Sequence, residues 1–477
     1  MGRSMRLGRV LVAVLVAMVG WGLAVSDVQT AGAQGSQAKN VILLIGDGMG
    51  FSEVALARLA SVGPGGKLTM DRLPYLTAMT THSLDALVTD SSAGGTAIAS
   101  GVKTNNHLVG VNPDLTPLPS VLEDAARLGK STGLVSTSRI TDATPAVFAA
   151  HPKVPREAVG AAWENEVPGA YLERGVDVLL GGGIRHWIPK SWPGSRRPDE
   201  ADYVGMATQK GYRVVKSRAE LQGIGPASTS KLLGLFSPSY MAFEIDRDPA
   251  KEPSLAEMTG KALEVLAKNP KGFFLMVEGG LIDIAGHYWD AAALVKEVVA
   301  FDEAVKVAFE FSRKDGQTLV IVTADHATGG LRIAEPLNPK GLGNIKASAA
   351  RMAKRLAPDR ANVREVLADL AGITDLTEAE IQAIRSPQGS HVGGKVHRAL
   401  ESVLGKGAWE IAAVLSDRAG VSWYPVHVHA RSEKTYGHEG TPVPVYAFGP
   451  GAEQVRGLLD NTDIARIMRH AFGLPPH

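Results

Sequence analysis

The chain has 477 residues, 45% of them hydrophobic, with a formal net charge of +1. Its length allows one large core or several domains, and its charge balance excludes the strongly basic class that binds nucleic acid. It contains no Cys, so disulfides and thiolate-bound metals are both excluded, and any bound metal must take His and carboxylate ligands.

In chain order, Arg3, Arg6 and Arg9 precede an apolar run from Val10 to Val25, and Ala31-Gly32-Ala33 offers small residues for cleavage before Gln34. This reads as a Sec-type signal peptide over residues 1–33, too short in its apolar part for a spanning helix. The expected location is periplasmic or secreted, with no membrane attachment after cleavage. A catalytic domain is then expected over 38–477.

From Val41 the pattern alternates strand and helix. VILLIG runs into Asp47-Gly48-Met49-Gly50, and a helix opened by Ser52 should close at Gly63. Leu76–Ser83 reads as a weaker strand, and Leu87-Val88-Thr89 as a short apolar run ending in Asp90 and Ser91. The following SAGGTAIASG sets Ser91 at a helix N-terminus, which favours an anion. A helix to Gly129, a strand Gly133–Thr137, the loop Thr141–Pro145 and a strand Val176–Leu180 follow.

Residues 184–253 lose periodicity and read as an insertion. Ser254 and Glu257 form a capping box for the next helix. Phe273–Val277 is an apolar strand ending in Glu278, with Asp283 and His287 beyond it at i, i+4, the spacing that puts two ligands on one helix face. A long helix from Trp289 to Lys314 leads to the strand TLVIVTA and the pair Asp325-His326. Residues 331–436 form a second, mostly helical insertion. His427 and His429, within it, read as loop histidines. Val443–Phe448 is a final strand, and Asn461-Thr462-Asp463 opens the terminal helix.

Apolar runs repeatedly end in groups that bind metal or phosphate. In open α/β sheets ligands sit beyond the carboxyl ends of the strands. The expected fold is therefore a three-layer α/β/α sandwich with a mostly parallel central sheet and helical insertions. A capped helix start or a surface histidine would explain any one of these placements, but not their recurrence.

Together, NVILLIGDGMG, VTDSSAGGTAIASGVKT, ITDATPA, VEGGLID with His287, TADHATGG and GHEGTPVPVYAFGPGA resemble the alkaline phosphatases, in that order. The resemblance spans the α/β core, about two thirds of the chain by these motifs. It implies a phosphomonoesterase with Ser91 as nucleophile; read alone, the sequence leaves Ser92 as a competitor. It implies two Zn²⁺ and one Mg²⁺. Asp283, His287 and His438 match the ligands of one zinc. Asp325 and His326 match those of the other, which Ser91 also meets. Asp47 is shared with magnesium, Thr144 and Glu278 complete that set, and Asp142 reaches it through water. Arg156 is the implied phosphate clamp, in a loop longer than usual in which Lys153 is the nearby competitor.

The implied reaction is a double displacement through phosphoserine on small phosphate monoesters. Many members dimerise, which makes a homodimer the implied assembly. Two departures stand out: Ile284, where many members carry Lys or His, and His438-Glu439-Gly440 in place of His-Thr-Gly. Competing readings are a phosphodiesterase or sulfatase of the same superfamily, which Thr144 and Glu278 and the lack of Cys disfavour, and an inactive metal-binding exported protein, which should have lost a ligand.

Overall fold

A computed structural model describes residues 37–153, 162–225, 228–385, 405–424 and 437–475. The segment read as a signal peptide, Arg156, His427 and His429 lie outside these residues.

Ten strands form the central sheet. They are β1 (Asn40–Ile45), β2 (Tyr75–Thr80), β3 (Ser131–Arg139), β4 (Val178–Gly182), β5 (Arg213–Val215), β6 (Leu232–Leu235), β7 (Phe273–Glu278), β8 (Thr318–Thr323), β9 (Val443–Phe448) and β10 (Leu458–Asp460). Their spatial order is β10-β2-β9-β8-β1-β7-β3-β4-β6-β5. β9 runs antiparallel to both its neighbours, and every other pairing is parallel.

β1, β7 and β8 are buried at every position. Apolar side chains on both faces of a parallel strand need helices on both sides of the sheet, which is why these runs do not alternate. The register carries the functional consequence. Ile45 lies opposite Glu278 on one side and Thr323 on the other, and Ser136 of β3 also faces Glu278. The residues just beyond β1, β3, β7 and β8 therefore emerge side by side along one edge.

The structure departs from the sequence reading in places. Leu87-Val88-Thr89 is loop, with Leu87 88% exposed, so Ser91 follows no strand. The helix after β1 spans Phe51–Ser61 and starts from Gly50, with Ser52 inside it rather than capping it. The region 184–253 contributes β5 and β6 to the sheet itself. These are strands of three and four residues, RVV and LLGL, too short to display a period. The capping boxes at Ser254/Glu257 and at Asp460/Asp463 both form.

The terminal helix, Asn461–Ala471, locks the helix Ser91–Ser100 in place through one buried arginine. Arg469, 1% exposed, donates from Nε to Asp124 Oδ2 at 2.6 Å, from Nη1 to Ser100 O at 2.5 Å and from Nη2 to Pro119 O at 3.0 Å. Removing one partner of a buried pair leaves the other charge poorly compensated, here Asp124 with only the exposed Arg127. Arg469→Ala should therefore cost about 3 kcal/mol, measured as a shift in the urea midpoint at unchanged slope.

Candidate active site

Two glycines let the loops meet at the sheet edge. Gly48 has φ of +70°, and a Cβ there would lie 2.8 Å from Thr328 Oγ1 and 2.9 Å from the Asp283 carboxylate. A Cβ at Gly94 would sit 3.2 Å from the Asp325 carbonyl. The small residues of SAGGTAIAS thus bring this helix onto the end of β8. Its N-cap is Asp90, whose Oδ1 accepts from Ala93 N at 2.9 Å.

Ser91, the first residue of that helix, places Oγ 3.2 Å from His326 Nε2. Ser92 Oγ, by contrast, is buried without a hydrogen-bond partner. Of the two serines, Ser91 is the one that meets the histidine.

Two groups of side chains converge with liganding atoms within 4.8 Å of one another: Asp47, Asp325 and His326, and Asp283, His287 and His438. In the first, His326 Nε2 lies 3.5 Å from Asp47 Oδ1 and 3.4 Å from Asp325 Oδ2. Both of these carboxylate oxygens are buried and without a hydrogen-bond partner. In the second, His287 Nε2 is 3.0 Å and His438 Nε2 3.7 Å from the Asp283 carboxylate. The His326 and His438 rings stack at 3.6 Å and join the two groups.

The far side of each ring sets which nitrogen is free. His438 Nδ1 is 3.0 Å from Thr89 O, a carbonyl that can only accept, so Nδ1 carries the proton. Thr328 Oγ1 donates to Asp283 Oδ1 at 2.6 Å and therefore accepts from His326 Nδ1 at 3.2 Å. In both rings Nε2 is left with its lone pair directed at the carboxylates, the arrangement typical of metal-ligating histidines. A two-residue ribbon pairing Thr328 with His438 and Ala327 with Glu439 holds His438 in register.

A third corner is built from oxygen atoms. Asp47 Oδ2 accepts from Thr144 Oγ1 at 3.4 Å, and Glu278 accepts from Ser136 Oγ. Asp142 Oδ2 accepts from Ser138 Oγ at 3.0 Å and Arg139 Nη2 at 2.6 Å. A cleft of about 290 Å³ opens here, bordered by Asp47, Ser91, Asp142, Thr144, Tyr240 and Ile284, among others.

Electrostatics agree with a cation-binding role. Burial, then the charges of Asp325, Asp283, Glu278 and Asp142, push Asp47 well above the usual carboxylate range. Burial pushes Glu278 up to about 8, against the bond from Ser136. Asp325 is also raised, by burial that outweighs His326. Asp283 moves the other way: burial opposes its charge, but His287, His438 and His326 hold it below the usual range. Three imidazoles with carboxylates suit zinc, and the oxygen-only corner suits a harder cation. The orphaned oxygens of Asp47 and Asp325 are what such ions would satisfy.

Every metal candidate named from the sequence therefore lies at this edge. Arg156 falls outside the described residues, and Lys153 is exposed. His151 bonds Gly110 O and Glu123, a structural use. Sequence reasoning missed Thr328, although it stands in TADHATGG, and also Ser136, Ser138 and Arg139 on β3. Tyr240 follows β6 and carried no signal in the sequence.

A family model described as alkaline phosphatase matches residues 38–474. Alkaline phosphatase 4 of Bacillus subtilis is 36% identical over 454 residues, covering 91% of this chain and 88% of that protein. The alkaline phosphatase of Escherichia coli K12 is 33% identical over 484 residues, covering 92% and 86%. The crystal structure of Thermus thermophilus alkaline phosphatase superposes with a TM-score of 0.78 at 32% identity, covering 93% of this chain and 95% of that one.

The buried carboxylates make a prediction for the metal-free protein. Glu278, raised to about 8, together with Asp47 and Asp325, binds protons more tightly folded than unfolded. Stability from these groups is full below the ordinary carboxylate range and is lost as pH rises through the folded values. Chelated protein should melt lower at pH 9 than at pH 6, by on the order of a few kcal/mol of stability. Adding Zn²⁺ and Mg²⁺ should close the gap, and Glu278→Gln should narrow it without metal. Equal melting temperatures for chelated protein at both pH values would contradict this account.

Proposed function

The chain belongs to the alkaline phosphatase family, and from that premise we propose that it is an exported metal-dependent hydrolase of small phosphate monoesters working through a phosphoserine on Ser91. The observation that carries the reading is Ser91 Oγ, 3.2 Å from His326 Nε2 and beside the orphaned oxygens of Asp47 and Asp325.

Asp283, His287 and His438 would hold one zinc, and Asp325, His326, Asp47 and Ser91 a second. Asp47, Thr144 and Glu278 would hold magnesium, with Asp142 reaching it through water. When bound, these ions supply Lewis acidity, lowering the pKa of a serine hydroxyl or water and neutralising charge on the phosphoryl oxygens.

The remaining work belongs to side chains. The His326 and His438 tautomers keep Nε2 unprotonated, and the helix N-terminus at Ser91 favours the phosphoryl dianion. Ser91 Oγ forms a bond to phosphorus as the bond to the alcohol oxygen breaks, and the proton that Ser91 gives up passes through water to the departing alcohol. Water then attacks phosphorus, releasing inorganic phosphate and restoring the Ser91 hydroxyl. Arg156 is assigned the equatorial oxygens, for which a planar guanidinium is suited.

Export rests on the N-terminal pattern of basic residues, apolar run and Ala31-Gly32-Ala33. Among the described residues no helix is long and apolar enough to cross a membrane.

Ser91→Ala should lower kcat on an aryl phosphate by roughly three orders of magnitude or more, and acid quenching should trap labelled phosphate on the wild type alone. Near wild-type turnover in that variant would refute the mechanism. Chelation should abolish activity, and Zn²⁺ with Mg²⁺ should restore it. Activity that survives complete chelation would show that the two groups do not serve catalysis through metal.

A further inference from the structure

Behind Asp142 lies an arginine to which the reaction above gives no task. Arg139 ends β3 and is 6% exposed. Its Nη2 donates to Asp142 Oδ2 at 2.6 Å and its Nε to Glu164 Oε2 at 2.8 Å. The guanidinium lies over the Tyr240 ring, 4.3 Å from the centroid, and Tyr240 in turn borders the cleft that holds Ser91 and Asp142. Thr141 Oγ1 donates to the same Glu164 oxygen at 2.9 Å.

This is a fixed fork rather than a loose ion pair. A guanidinium stays charged, presents its donors in one plane, and is here set by two carboxylates and an aromatic face. Asp142 needs such a partner, because it shares the site with Asp47, Glu278, Asp283 and Asp325. Mutual repulsion in a buried space favours either protonation or rotation of a carboxylate out of the cleft. On the cleft wall Ile284 brings no charge. Among the described residues, a cation meets Asp142 from the sheet side, where Arg139 pairs with it, and Ser138 Oγ and Ala143 N also donate to its carboxylate oxygens at 3.0 and 2.9 Å.

We propose that Arg139 is a positioning residue for the oxygen-only corner: clamped by Glu164 and Tyr240, it fixes the Asp142 carboxylate and thereby sets how tightly that corner binds Mg²⁺. It touches neither substrate nor cation. The inference rests on the reading of Asp142 as a group that reaches the hard cation through water.

The test uses the zinc-loaded full chain. Mg²⁺ affinity is read by calorimetry and Mn²⁺ occupancy by electron paramagnetic resonance, beside kcat and KM on an aryl phosphate. Arg139→Met should weaken Mg²⁺ binding about tenfold or more, in line with loss of an outer-shell partner. Zinc content should stay unchanged, and kcat should fall at limiting Mg²⁺ and recover at high Mg²⁺. Asp142→Asn should show a similar loss, and the double variant little beyond either single one, because both act through one carboxylate. Arg139→Lys, a point charge without the fork, should recover only part of the affinity.

Wild-type Mg²⁺ affinity in Arg139→Met beside a weakened Asp142→Asn would overturn the proposal and leave the reading of Asp142 standing. Wild-type affinity in Asp142→Asn would overturn that reading instead. Additive losses in the double variant would also overturn the proposal. Should Arg139→Met fail to fold, Tyr240→Leu removes the ring and hydroxyl that meet the guanidinium and leaves both members of the Arg139–Asp142 pair in place; weaker Mg²⁺ binding then supports the clamp, and unchanged binding overturns it.

Discussion

Five carboxylates brought together under burial are the constraint on which this structure turns. Asp47, Asp142, Asp325 and the nearby pair Glu278 and Asp283 come from four segments of the chain, yet Asp47 feels the charge of all four others. Desolvation and like charge both oppose ionisation, so a fold that gathers them must supply compensating positive charge. Part of that charge is built in. Arg139 pairs with Asp142. The part that is not built in is visible as the partnerless oxygens of Asp47 and Asp325.

The sheet turns this electrostatic demand into geometry. Parallel strands in close register deliver their following residues to one edge, so Asp47, Glu278 and Asp325 need no long loops to meet. Fine placement then comes from hydroxyls and backbone carbonyls. Thr328 bridges Asp283 and His326, and the Thr89 carbonyl fixes the His438 tautomer. These contacts add little net free energy each, roughly 1 kcal/mol. Their value lies in restricting each of these side chains to one rotamer and one protonation state.

What was legible in the sequence follows from the same physics. VILLIG, FFLMV and TLVIV are long unbroken apolar runs, and their charged endings are conspicuous because a strand interior would not tolerate them. β9 was equally readable from VPVYAF. β5 and β6 were not, since three or four residues at a sheet edge present no period. The Leu87-Val88-Thr89 run misled because two apolar residues and a β-branched one look the same whether buried or, as with Leu87, exposed. At the site, side chains that bind cations announce themselves by type. Ser136, Ser138 and Tyr240 have no such mark; their roles exist only through contacts made across the fold.

The segments that look accessory have a mechanical part in holding the site. Helix Leu281–His287 is followed, past its C-cap Tyr288, by Trp289, a bulky residue at φ of +59°. Such a conformation costs on the order of 1–3 kcal/mol and persists only where surroundings enforce it. Here Trp289 packs 4.6 Å from Trp409 and stacks 6.5 Å from Trp423, and its carbonyl accepts from Ser416 Oγ at 2.6 Å. Asp290, next in the chain, accepts from Ala349 N at 2.7 Å. All four partners belong to the region after residue 331. That region therefore fixes the turn two residues beyond His287, while the Thr328–His438 ribbon fixes the other imidazole of the same group. Two imidazoles separated by some 150 positions along the sequence are thus held as one unit by packing in a region that supplies none of the carboxylates.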